Sequence, residues 1–208
     1  MDTRNLFNEF NLGVVAVRTL GGLSLFRVLC RDEGNLHLIS LGKLNTSTGF
    51  FSPESLNRPI ALLRIWDVNE VFGLLYNRRL YEVNDIAIPN HMSKIAQVVA
   101  GTFPDYDLRL AAIHSILTSV GSRVLTDRTT RSAAIGEASK KYGINSGSMR
   151  TWLFKFFFYG GHPGALLSSA EFQKIKLSSL RSLAKRDPVS GRLIQRMPAG
   201  EQKQVGQG

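Results

Sequence analysis

Hydrophobic and polar positions change period along the chain. From Leu12 to about residue 42 they follow a strand pattern. LGVVAVRTL and LSLFRVLC are rich in β-branched and apolar residues, with Gly21-Gly22 between them. Asp32-Glu33-Gly34-Asn35 supplies turn chemistry before LHLISL, in which Leu36, Leu38 and Ser40 alternate with His37, Ile39 and Leu41. The pattern predicts a small antiparallel sheet over roughly residues 12–42. Asn45 to Pro59 is polar and punctuated, and Ser52-Pro53-Glu54 resembles a short helix start. IALLRIW fits a strand or a helix equally well. Asp67 is suited to cap a helix running through VNEVFGLLYNRRLYEV, whose apolar face holds Val68, Val71, Phe72, Leu74 and Leu75.

Beyond Ile88-Pro89-Asn90 the helical period takes over. HMSKIAQVVAG is a predicted helix that leads to Phe103-Pro104-Asp105. Three more follow: 105–120, about 129–142 and about 147–160. Ala134, Ile135 and Ala138 form the apolar stripe of the second of these three. Gly143 suits a left-handed turn, Ile144 plugs the core beneath it, and Ser146 is the expected N-cap of the last helix. There Met149, Trp152, Leu153 and Phe156 repeat at i, i+3, i+4, i+7 and should face inward. That leaves Gly147, Ser148, Arg150, Thr151 and Lys155 outside. Of Phe156-Phe157-Phe158-Tyr159, packing accounts for two or three, with one left for a partner domain.

Net charge changes the picture through its placement. The chain of 208 residues carries +10. Residues 121–208 hold 15 Lys and Arg against 5 Asp and Glu, and residues 1–120 hold the remaining 11 of each sign. This asymmetry is an electrostatic footprint for a polyanion, with nucleic acid ahead of an anionic membrane surface and of a basic surface serving solubility alone. The ordered set on the two helices favours DNA. Small residues at the start of the last helix let its backbone approach a groove, Arg150 has guanine-reading geometry, and Lys155 suits a phosphate. Lys140 and Lys141 end the preceding helix as backbone clamps. The expected DNA-binding residues are therefore Lys140, Lys141, Ser146, Ser148, Arg150, Thr151 and Lys155.

Other chemistry is thinly represented. The single Cys30 excludes an internal disulfide and a Cys-rich zinc site. His37, His91, His114 and His162 are scattered, and each reads as structural. There is no P-loop, GxGxxG, HExxH or GxSxG. No enzyme activity, cofactor or metal is expected. No signal peptide or apolar stretch of about 20 residues is visible, so the expected location is cytoplasmic, at a bacterial nucleoid, without a membrane partner.

LRLAAIHSIL, a spacer, and RSAAIGEASKKYGINSGSMRTWLFKFFFYGGHPGALL together resemble the N-terminal DNA-binding region of TnsB/TniA-type transposases, relatives of the Mu transposase. GLSLFRVLCRDEGNLHLISL is similar to the β segment that opens such proteins. The resemblance covers most of residues 12–167. With it, the residues read as an α+β chain: a small N-terminal antiparallel β segment, then a three-helix, helix-turn-helix DNA-binding domain, then a basic flexible tail that departs from the family's Gly- and Arg-dense pattern. The corresponding regions are 1–90, 91–167 and 168–208, with one short helix around Ile175–Ala184 and disorder beyond Asp187. The resemblance implies sequence-specific binding of double-stranded DNA at transposon-end repeats. Family members continue into an RNase H-like core whose carboxylates hold two metals. Only 5 acidic residues follow residue 120 here, so recognition without cutting is expected, as a transposase module or derived regulator. The rival expectation is an assembly factor that docks on a transposase or an AAA+ ATPase partner through the β segment and the Phe-rich helix.

Overall fold

A computed structural model describes residues 13–20, 22–32, 34–48, 50–83, 92, 103–168, 170, 171 and 173. The β pattern read from residues 12–42 becomes three long strands in a meander: β1 (Val14–Thr19), β2 (Gly22–Arg31) and β3 (Asn35–Leu44). Asp32 closes the second turn. Its carboxylate accepts from Asn35 N at 2.9 Å, and its other oxygen lies 2.7 Å from His37 Nε2. The His37 bond, more than any other cause, lowers the Asp32 pKa. His37 itself is buried in the strand.

The sheet does not stop there. β4 (Phe51–Pro53) pairs with the end of β3, and β5 (Leu63–Asp67) pairs with its beginning, so both share one edge. A single 3-10 turn over Pro59–Leu62 precedes β5, which resolves IALLRIW into a turn and a strand. Helix α1 (Val68–Tyr76) starts on Asp67, whose carboxylate accepts from Asn69 N at 2.7 Å. It ends at Asn77, and Arg78 takes φ 51°. The chain then returns as β6 (Leu80–Val83), antiparallel to β1. Hence the expected helix through Val83 is half helix and half strand. Its apolar residues satisfy a helical period locally, but the free edge of β1 offers four residues a hydrogen-bonded partner that no local pattern reveals.

The result is a six-stranded antiparallel sheet of order β4-β3-β2-β1-β6, with β5 beside β4 on β3. This corrects the expected architecture. The β part is not a small segment ahead of a helix-turn-helix domain; it is a large sheet with helical elements against both faces. On one face Val17, Val28, Leu38 and Trp66 form a core against which Val71 and Leu74 of α1 pack. Phe26 meets Trp66 edge-on at 4.8 Å. The other face carries Val14, Ala16, Arg27 and Ile39, which are cross-strand neighbours.

The helical layer follows as α2 (Pro104–Val120), one-turn α3 (Arg123–Thr126), α4 (Arg128–Tyr142) and α5 (Ser146–Phe158). These bounds lie close to the three helices expected from periodicity. Pro104 opens α2 at its first turn, where a missing N–H costs nothing. Asp127 caps α4 by accepting from Thr129 N at 2.8 Å, Thr130 N at 3.1 Å and the Thr130 hydroxyl. Gly143 then reverses the chain at φ 65°, ψ 25°. Residues up to Leu167 form one compact unit and residues from Ser168 another. In the second, Ser168 and Glu171 exchange side chain–backbone hydrogen bonds at 2.7 and 3.2 Å as a capping box. Apart from the buried Met92, the expected helix at residues 91–101 lies outside the described residues, as do the short tail helix and the segment beyond Asp187.

Candidate nucleic-acid interface

Helix α5 divides into two unlike halves. In the first, Ser146, Gly147, Ser148 and Thr151 are exposed. In the second, Phe154, Phe156, Phe157 and Phe158 are all at 2% exposure or less. All three phenylalanines at the helix end are therefore core, and of the four aromatics Phe156 to Tyr159 only Tyr159 is half-buried. Burying a phenyl side chain contributes roughly 2 kcal/mol, so this cluster anchors the helix by far more than any surface ion pair gives.

The anchor also reaches the sheet. Arg27, fully buried on β2, donates from Nε to the Phe158 carbonyl oxygen at 3.0 Å. A guanidinium at the last carbonyl of a helix meets the negative end of its dipole. Periodicity misses this residue, because an Arg in a strand reads as solvent-facing. Arg131 is the second structural cation. Its Nη1 donates to the carbonyls of Val124 and Leu125, each at 3.2 Å, and its guanidinium lies 6.0 Å from the centroid of Phe154. Burial lowers its pKa, with Arg150 and Arg128 adding to the effect.

The start of α5 is held by a different cap from the one expected. Asn145, not Ser146, accepts from Gly147 N at 2.8 Å. Both oxygens were one residue apart in sequence. The chain turns extended at Asn145 (φ −60°, ψ 133°), which puts its amide oxygen over the first turn and makes Ser146 the first helical residue. Ser146 stays exposed. No acidic residue lies in the first turn, so nothing neutralises the positive end of the dipole there.

Ser148, Thr151 and Lys155 recur at i, i+3, i+7 and share one stripe of α5. Ser148 and Thr151 are exposed, and Thr151 donates its hydroxyl to the Gly147 carbonyl at 3.1 Å. Lys155, expected to stand clear, is half-buried. Burial lowers its pKa first, and Arg109 of α2 second. Arg109 lies 5.6 Å from the Trp152 ring centroid, so Arg109, Trp152 and Lys155 form one patch. Arg150 is likewise half-buried, on the flank of α5 toward Arg128 and Arg131. Lys140 and Lys141 are exposed at the end of α4, and the Lys141 ammonium sits 5.2 Å from the Tyr142 ring centroid. Among the described residues, no carboxylate pairs with Arg128, Arg150 or Lys155.

Of the seven expected DNA-contacting residues, Lys140 and Lys141 thus lie at the end of α4, Ser148, Thr151 and Lys155 on one stripe of α5, and Ser146 and Arg150 on another side of it; five are exposed, and Arg150 and Lys155 are half-buried. Arg109 of α2 and Arg128 at the start of α4 join them, two residues that the sequence did not single out. Their signal was absent because each is a lone cation until packing brings α2 and α4 to α5. Among the described residues no group of three or more His, Cys, Asp or Glu is placed to hold a metal ion. His114 is half-buried in α2, and His162 accepts from Gly164 N at 3.1 Å. Gly164 is required there, since a Cβ would stand 2.3 Å from the Met92 carbonyl oxygen. No described helix is long and apolar enough to cross a membrane. The chain matches no protein-family model and no curated protein sequence.

Proposed function

We propose that the chain binds double-stranded DNA by laying the first two turns of α5 in a major groove. One observation carries this reading. The first two turns of α5 leave Ser146, Gly147, Ser148 and Thr151 exposed, with Arg150 half-buried among them, and no carboxylate among the described residues pairs with Arg128, Arg150 or Lys155. Recognition helices contact base edges through their N-terminal residues while the rest of the helix is held by the domain. Arg150 supplies a fork suited to guanine O6 and N7. Lys140, Lys141 and Arg128 flank the groove as phosphate contacts, and the desolvation that lowers the Lys155 pKa is offset when a phosphate approaches. The resemblance to TnsB/TniA-type transposases extends the proposal to repeats at transposon ends, bound without strand cleavage.

The test is a fluorescence-anisotropy titration of labelled duplex at several salt concentrations. Binding through phosphates makes log K fall linearly with log salt, with a slope of about −0.9 per contact. Selection from random duplex then shows whether a sequence is preferred. Absence of duplex binding at low salt rejects the proposal.

A second reading rests on α1. None of its residues is buried, and Phe72, Leu75 and Tyr76 are exposed by 64%, 50% and 90%. That apolar side supports an assembly role, docking on a transposase or an AAA+ ATPase partner, through α1 instead of the Phe-rich helix. Co-elution of such a partner with the wild-type chain, abolished by Tyr76→Ser, is the outcome that favours it.

A further inference from the structure

A groove with no residue of α5 in its wall lies at the end of the sheet where β1 turns into β2. It encloses about 690 Å³ and is lined by Arg18, Thr19, Leu23, Thr46, Ser47 and Tyr81 among others, with no carboxylate in its wall. The register explains the convergence. Arg18 faces Leu23 across the β1–β2 pair, and Tyr81 faces Ala16 across the β1–β6 pair, so their side chains project from one face. The Arg18 guanidinium rests 5.3 Å from the Tyr81 ring centroid. Tyr81 is itself fixed, its hydroxyl donating to the Arg78 carbonyl at 2.6 Å. Behind them Arg79 donates from Nη2 to the Arg18 carbonyl at 3.1 Å. The Arg18 guanidinium thus stands in the groove beside the Tyr81 ring, with the Arg18 backbone held by Arg79.

The hydroxyls have a definite polarity. Thr19 donates to the Gly22 carbonyl at 3.1 Å, and Ser47 donates to Asn45 Oδ1 at 2.6 Å. With their protons committed, both oxygens present acceptors to the groove. Arg18 presents donors only, and Thr46 either. A ligand that matches this wall carries an anion at one end and N–H or O–H donors at the other, with a flat ring between for the Arg18–Tyr81 stack. Inorganic phosphate satisfies only the first requirement.

The geometry points to a binding site for one nucleotide unit in this groove, its phosphate on Arg18 and its base or sugar donors on Thr19 and Ser47. The unit comes either from a free mononucleotide or from an unpaired nucleotide of a nucleic-acid strand; the chemistry is the same. The site is independent of duplex binding at α5.

The experiment is isothermal titration of the full chain with adenosine 5′-monophosphate, with inorganic phosphate and with a single-stranded tetranucleotide, for wild type, Arg18→Glu and Thr46→Val. The expected result is saturable binding of the mononucleotide, the tetranucleotide or both, at least tenfold tighter than phosphate. Arg18→Glu should weaken it at least tenfold, and Thr46→Val by a smaller factor. Mononucleotide binding alone assigns the site to a free ligand, and tetranucleotide binding alone assigns it to a strand. Absence of both, or equal binding by Arg18→Glu, overturns the proposal. Arg18 is exposed, so its replacement should leave the melting temperature nearly unchanged. Blunt-duplex affinity, measured alongside, reports on α5 separately.

Discussion

The two halves of α5 share one helix and serve opposite ends. From Ser146 to Thr151 the side chains other than buried Met149 are small, polar or cationic and mostly exposed; from Leu153 to Phe158 all but Lys155 are buried. The buried half is fastened to the sheet by Arg27 and to α4 by the Arg131 contact with Phe154. A helix that presents residues to a large rigid ligand gains from such fastening, because ordering it on binding would cost affinity. Cations near Thr151 therefore stand on a platform whose position is set further along the same helix, at Phe154 and Phe158.

Changes in the buried half should lower stability and leave the affinity of the folded protein alone; changes in the exposed half should do the reverse. Arg27→Ala is the most severe case. It removes a buried, hydrogen-bonded guanidinium and leaves the Phe158 carbonyl without that donor, an expected loss of about 3 kcal/mol by urea denaturation. Duplex affinity at a temperature where the variant is folded should be unchanged. A fall in affinity there would mean that the anchor also sets recognition geometry.

Arg150→Ala is expected to weaken binding to a preferred duplex by about 1–3 kcal/mol and to relax one base position. An equal loss on random duplex would move Arg150 to the phosphate contacts. Lys155→Ala should cost roughly 1 kcal/mol on both duplexes and reduce the salt slope by about one unit. Because Lys155 is half-buried, its replacement by Met tests the charge with the packing retained.

Asn145→Ala removes the cap of the exposed half and should cost about 1 kcal/mol of stability. Asn145→Asp should recover it, since a carboxylate at a helix start also meets the dipole favourably. That variant adds a negative charge beside the proposed groove contact, so its duplex affinity should fall while its stability rises.

The smallest effect concerns pH. Burial holds the His162 pKa below its ordinary value of 6.5, and its Nδ1 must stay unprotonated to accept from Gly164 N. The unfolded chain then takes up a proton more readily than the folded one. Stability contributed by neutral His162 is complete above about pH 6.5 and declines as pH falls toward the lowered folded value. His162→Asn, which keeps an acceptor there, should flatten this part of the melting-temperature profile between pH 7.5 and 5.

Local chemistry made several elements legible. Alternation located the meander, the helical period located α2, α4 and α5, and the need for positive φ located the turn at Gly143. Charge placement singled out the cationic end of the molecule. The N-cap of α5 was misplaced by one residue because Asn145 and Ser146 are equally good acceptors. Only the backbone angle at the helix start chooses between them.

What needed the tertiary structure is whatever depends on partners distant in sequence. Leu80–Val83 is a strand because β1 has a free edge, although its own residues read as the end of a helix. Arg27 is core because the last turn of α5 lies over it, 131 residues away. That all three phenylalanines of Phe156–Phe158 are buried, and Tyr159 only half so, likewise depends on the elements packed around them. The residues proposed to contact DNA were singled out one by one, since each is cationic or small at helical spacing. Their grouping with Arg109 and Arg128 required three helices to meet. Periodicity reports how one element divides between inside and outside; it carries no information about which element supplies the inside.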